Sequence, residues 1–123
     1  MPISYTIDRQ QGVIFATWKG VVTAEVLARH WATVFADPEF KMVRRTLADV
    51  REATVSFSGA ELARLVESMA APAVGETRWK AAIVVSQTAQ FGMSRQFHVF
   101  ASLFAEDAIF FDRESALAWL LAP

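Results

Sequence analysis

Apolar and polar residues alternate strictly at the start of the chain, where Ile3, Tyr5 and Ile7 are separated by Ser4, Thr6 and Asp8. A period of two predicts a half-buried strand. Arg9-Gln10-Gln11-Gly12 is polar, ends in glycine and suits a hairpin turn. Val13 to Lys19 predicts a second, more central strand, ended by Gly20. From Thr23 the period changes: Val26, Leu27, His30, Trp31, Val34 and Phe35 recur at helical spacing. Thr23 supplies a cap and Glu25 lies at the positive end of the helix dipole. Asp37-Pro38 predicts a stop, because proline disfavours helical geometry in the residue before it.

Thr46 to Val50 predicts a third strand, with Asp49 near its end and a loop reaching to Ser58. Ser58-Gly59-Ala60-Glu61 matches a capping box, in which serine and glutamate satisfy each other's unpaired backbone donors. Leu62, Leu65, Val66 and Met69 form the stripe of that helix, and Pro72 and Gly75 its expected end. Trp79 to Ser86 is the strongest strand signal, because Ala81 to Val85 is apolar without alternation, as in a strand covered on both faces. Gln87-Thr88-Ala89-Gln90 leads into a third helix carrying Met93, Phe97, Phe100 and Phe104. Ile109-Phe110-Phe111 predicts a short last strand, and Asp112 caps a final helix with Ala116, Leu117, Leu120 and Leu121 on its apolar side. Strands alternating with helices imply right-handed crossovers and parallel pairing. The expected fold is therefore α/β: one domain over residues 1–123, with a mixed five-stranded sheet, an N-terminal hairpin, mostly parallel pairing beyond it, and about four helices.

Composition narrows the function classes. With 123 residues and 54% apolar side chains, the chain supports one core without staples. Ten Phe and four Trp are many for that core, which points to some at an interface, including self-association as a homodimer. A net charge of −1 without a basic stripe argues against nucleic acid. The absence of cysteine excludes disulfides, thiolate metal sites and a thiol nucleophile. No signal-like head and no apolar run of roughly 18 residues is visible. A soluble cytoplasmic protein without a membrane span is expected.

Five segments together resemble the STAS, or SpoIIAA-like, superfamily. They are Gly20-Val21-Val22-Thr23, Asp37-Pro38-Glu39-Phe40, Leu47-Ala48-Asp49-Val50-Arg51, Phe91-Gly92-Met93-Ser94-Arg95, and Phe110 to Leu120. More narrowly the chain is similar to bacterial STAS-like proteins grouped near the CRAL-TRIO lipid-transfer fold. The resemblance implies a SpoIIAA-like fold and a protein-interaction role. Anti-sigma factor antagonists of the superfamily carry an Asp-Ser-Ser-Gly type motif whose serine is switched by phosphorylation. The nearest match here is Phe57-Ser58-Gly59, which lacks the acidic residue and the first serine.

In open parallel sheets, ligands gather outside the carboxyl ends of the strands. That rim is expected to hold Asp49, Arg51, Ser58, Ser86 and Thr88, with Arg95 on the helix that follows. Asp49 pairs with Arg51 or serves as a polar anchor. Ser58 is a helix cap and the candidate phospho-switch. Arg95 and the start of its helix could receive an anion. His30 lies on an apolar face as a core-edge histidine, whereas His98 shares a polar side with Ser94, Arg95 and Ser102. No ligand-spaced metal set, cofactor motif or nucleophile–base pair is legible, so the leading expectation is a non-enzymatic interaction module. The second is a carrier of a small lipid-like molecule, in an apolar cavity under the third and fourth helices among Phe91, Phe97, Phe100, Phe104, Phe110 and Phe111.

Overall fold

The computed structural model describes residues 2–75 and 77–123. Strand β1 (Ile3–Asp8) pairs antiparallel with β2 (Val13–Thr23). Beyond them β3 (Arg45–Ser56), β4 (Trp79–Val84) and β5 (Ala105–Phe110) add in parallel, in the order β1-β2-β3-β4-β5. The helices are α1 (Ala24–Ala36), α2 (Pro38–Val43), α3 (Gly59–Leu65), α4 (Ala71–Val74), α5 (Thr88–Ala101) and α6 (Arg113–Leu121). A π-helical turn over Val66–Ala70 joins α3 and α4 into one interrupted helix, making five among the described residues.

A parallel sheet whose order follows the chain without reversal sends every right-handed crossover over the same face. The larger core accordingly lies between that face and α1, α3 and α5, with Leu27, Trp31, Val34, Leu62, Met93 and Phe97 set against Ile14, Ala16, Val50, Ala81 and Ile83. The opposite face is left to α6, which buries Ala116 and Leu120 on Val13, Leu47, Ala82 and Val84. Lys80 ties down the end of α6: its ammonium donates to the Trp119 carbonyl at 2.8 Å and sits 4.7 Å from the centre of the Trp119 ring.

Several boundaries differ from the expected ones. Gly20 does not end β2. It adopts φ +71 within the strand, opposite Ala53. Asp49 is not the end of β3, and the stretch expected as a loop to Ser58 is mostly strand. Beyond the last β4 pair, Asp49↔Val84, β3 runs on with β2 as a two-stranded ribbon to Thr23↔Ser56. The register steps from Thr17↔Asp49 to Lys19↔Glu52, so β3 carries one extra residue there, a β-bulge. Pro38 stops α1 and also opens α2, where its missing N–H costs nothing, with the Asp37 carboxylate capping Glu39 N–H at 3.0 Å. Pro72 does not end its helix. It cannot donate to the Ser68 carbonyl, and the chain widens into the π turn just before it, Ala71 N–H bonding the Val66 carbonyl. Gly75, at φ +64, ends the helix instead. Phe104 lies past α5 rather than on it, and β5 begins at Ala105, four residues earlier than Ile109.

Candidate functional site

The extension of β3 creates the rim. Where β4 stops, carbonyls of β3 that face it lose their ladder partners. The Gln90 amide, 1% exposed, replaces the missing strand. Its nitrogen donates to the Ala53 carbonyl at 2.8 Å and the Arg51 carbonyl at 3.2 Å. Its oxygen accepts from the backbone N–H of Ser86 at 2.9 Å and of Gln87 at 3.2 Å. The Ser86 hydroxyl adds a bond to the Arg51 carbonyl at 3.1 Å. The Gln90 side chain thus stands where the next strand would pair. Because the strand order never reverses, there is also no switch-point crevice of the kind that binds ligands in doubly wound sheets.

Asp49, Arg51 and Ser86 are thus brought together. The Asp49 carboxylate accepts from the Arg51 guanidinium at 3.0 and 2.8 Å and from the Arg51 N–H at 3.2 Å. The bonds from that guanidinium hold its carboxyl below the usual carboxylate range, outweighing burial, and the Arg113 charge adds to the effect. Arg113 itself lies 4.7 Å above the Phe15 ring. Ser58 stands elsewhere. It forms the expected capping box, its hydroxyl accepting from Glu61 N–H at 3.1 Å while Glu61 accepts from Ser58 N–H at 2.9 Å. The adjoining Gly59 comes up against Gln96, midway along α5. Among the described residues no hydrogen bond links Ser58 to Asp49, Ser86 or Thr88. Thr88 is exposed in the first turn of α5, and Arg95 is exposed two turns on, its guanidinium 6.0 Å from the centre of the Phe91 ring.

A second region lies along the outer flank of α5 and β5. A groove of about 410 Å³ runs between them, lined by Phe91, Arg95, His98, Val99, Asp107 and Ile109 among others. His98 is bonded through Nδ1 to Asp107 at 2.8 Å, and the Asp107 side chain is only 1% exposed. The other Asp107 oxygen is buried without a partner among the described residues. Beside the groove, Leu103 is 92% exposed, Val99 68% and Phe111 66%, with the Phe111 ring stacked on Phe91. Of the aromatic residues on this flank, Phe111 alone is exposed among the described residues; Phe91 is half-buried and Phe97 is buried as core. Gln90 and Asp107 escaped the sequence reading. Gln90 carried one signal, a glutamine three residues past the cap position, which is a capping-box spacing. Asp107 carried none, because Glu106 and Asp107 put a charge on each face of β5 and hid its alternation.

Among the described residues no three His, Asp or Glu side chains gather as metal ligands. No helix among them is long and apolar enough to cross a membrane.

This architecture places the chain in a known class of fold. It matches the crystal structure of an uncharacterized protein of the DUF3478 family with a SpoIIAA-like fold from Shewanella loihica PV-4. The TM-score is 0.62 and the identity 20%, over 96% of this chain and 93% of that one. The chain has a SpoIIAA-like α/β fold, as the resemblance in its sequence implied. No family model matches the sequence, and no curated protein matches it.

Proposed function

We propose that the protein is a non-enzymatic STAS-like interaction module that acts in the cytoplasm and docks a protein partner, or a second copy of itself, on the flank formed by α5 and β5. The observation that carries this reading is the set Val99, Leu103 and Phe111, standing in water beside β5, a strand whose outer edge is unpaired. An edge strand offers a row of backbone donors and acceptors, and apolar side chains beside it supply affinity when another chain adds on. The rim supports a structural role rather than chemistry. Asp49 is committed to Arg51 and kept ionised, and a carboxylate of depressed pKa is a weak general base. A phospho-switch at Ser58 takes second place, because its oxygen already caps α3 and Glu61 would repel an added phosphoryl charge. A lipid-like carrier also takes second place. The interior cavity measures about 60 Å³, against the roughly 150 Å³ of a dry cavity that takes up benzene.

Affinity capture from native extract tests the reading with tagged wild type and a Val99→Glu/Leu103→Glu double variant. Both side chains are exposed, so the variant keeps its stability within about 1 kcal/mol. One stoichiometric protein on the wild type, reduced at least about tenfold on the variant, is expected. Equal recovery on both, or on neither, overturns the assignment.

A further inference from the structure

Thr46 and Ala48 lie on the helix-covered face of the central strand, yet both are only half-buried. The reason is a cavity of about 60 Å³ beneath the helices. Its floor is built from small side chains in register, Ala16 opposite Ala48 and Thr46 opposite Ala81, which do not reach the roof of Leu27, Trp31, Leu62 and Phe97. Cavities left by imperfect packing are apolar and dry. This one is not wholly apolar. Trp18 buries its indole N–H with no partner among the described residues, although leaving such a group unpaired is costly. Thr46 accepts from the Trp79 indole at 2.8 Å, which leaves its own hydroxyl proton to donate. Among the described residues no lysine, arginine, aspartate or glutamate lines the space.

A second concavity, about 440 Å³, opens to solvent between β1 and α1 and is lined by Pro2, Ile3, Tyr5, Val26, Arg29 and His30 among others. His30 lines both spaces. The Tyr5 ring packs edge-on against it at 5.8 Å, and Tyr5 is itself held by a 3.0 Å bond from its hydroxyl to Asp37. Burial pushes the His30 imidazole down to about 4, so at neutral pH the ring between the two spaces is uncharged.

We propose that the β1–α1 groove and the inner cavity form one binding site, with His30 as its gate, for a small neutral molecule whose apolar body rests in the groove and whose acceptor oxygen reaches the Trp18 indole N–H. The proposal is independent of the α5–β5 flank. The lack of charge around the inner cavity excludes an ionic group there, since a buried charge needs a partner. The unspent Trp18 N–H calls for an acceptor such as a carbonyl oxygen. The inner volume takes only a few heavy atoms, so the rest of the molecule stays in the groove.

Acetophenone and ethylbenzene, equal in shape but differing in the carbonyl, are the probes. The readout is the indole N–H signal of Trp18 in a nitrogen–proton correlation spectrum, assigned by its loss in Trp18→Phe. Acetophenone should move that signal saturably and bind about tenfold tighter than ethylbenzene. Trp18→Phe should narrow that preference, and His30→Ala should speed exchange. Ala48→Leu, which fills the floor, should abolish binding without loss of stability. A Trp18 signal unmoved up to the solubility limit of acetophenone overturns the proposal. So do equal binding of the two probes, unaltered binding by Ala48→Leu, and water contacts at Trp18 that acetophenone fails to displace.

Discussion

Gln90 offers the sharpest test of how this fold is held, because one side chain replaces a stretch of missing strand. Gln90→Leu preserves size and removes five hydrogen bonds at once, one of them a long 3.4 Å bond from the Ser86 hydroxyl. Not all five losses weigh equally. Ser86 and Gln87 are exposed, so water can reach their N–H groups. The Arg51 carbonyl keeps the Ser86 hydroxyl. The Ala53 carbonyl, on a residue 2% exposed, is left unpaired and out of reach of water. An orphaned buried acceptor costs about 1–3 kcal/mol, and each partly compensated bond a few tenths to about 1. The expected loss is therefore about 3 kcal/mol, read from urea unfolding at constant slope. Hydrogen exchange should show Ser86 and Gln87 losing protection locally. Gln90→Glu keeps the acceptor but turns the donor into a carboxylate facing two carbonyls. The introduced carboxyl should have a raised folded pKa, so this variant should regain stability as pH falls towards about 4. A loss under about 1 kcal/mol for Gln90→Leu, with both amides still protected, would refute the reasoning.

Three further outcomes follow from the same geometry. The His30 imidazole drops from an ordinary 6.5 to about 4 on folding, so between those values the unfolded chain binds the proton and the folded one does not. Stability should fall as pH drops through that window, by about 3 kcal/mol when fully developed, and His30→Phe should flatten the profile there; an unchanged profile would contradict the assignment. The Asp49 carboxyl is depressed below 3.8, so its contribution is present above that value and lost further down, which makes Asp49→Asn affect stability only at neutral pH and not in acid. Ser58→Ala should cost about 1 kcal/mol through loss of the cap, whereas Ser58→Asp should keep both stability and partner recovery; a partner lost on Ser58→Asp alone would make Ser58 a switch after all.

Much of the fold was legible because periodicity reports which faces are buried. The alternation of Ile3, Tyr5 and Ile7, the unbroken run at Ala81 to Val85 and the box at Ser58 each have a local cause. What was not legible depends on partners distant in sequence. Nothing near Asp49 says that β3 continues past it, because residues 52–56 are held by pairing with β2. Pro72 reads as a terminator until a π turn just before it relieves the clash. Of the candidate site, the Asp49–Arg51 pair was local and readable. Ser58 was readable as a cap, but its distance from the rim depends on how α3 meets α5. Gln90 and Asp107 act through bonds to other elements, so their identities alone did not single them out.

The central functional claim is that the α5–β5 flank, rather than the rim, receives a partner. Hydrogen exchange of the tagged protein, recovered from native extract with its partner and compared with the protein alone, tests this most directly. The account predicts added protection over residues 95–111 and little change at 49–58 or 86–88. Protection confined to those rim segments, with 95–111 unchanged, would contradict it.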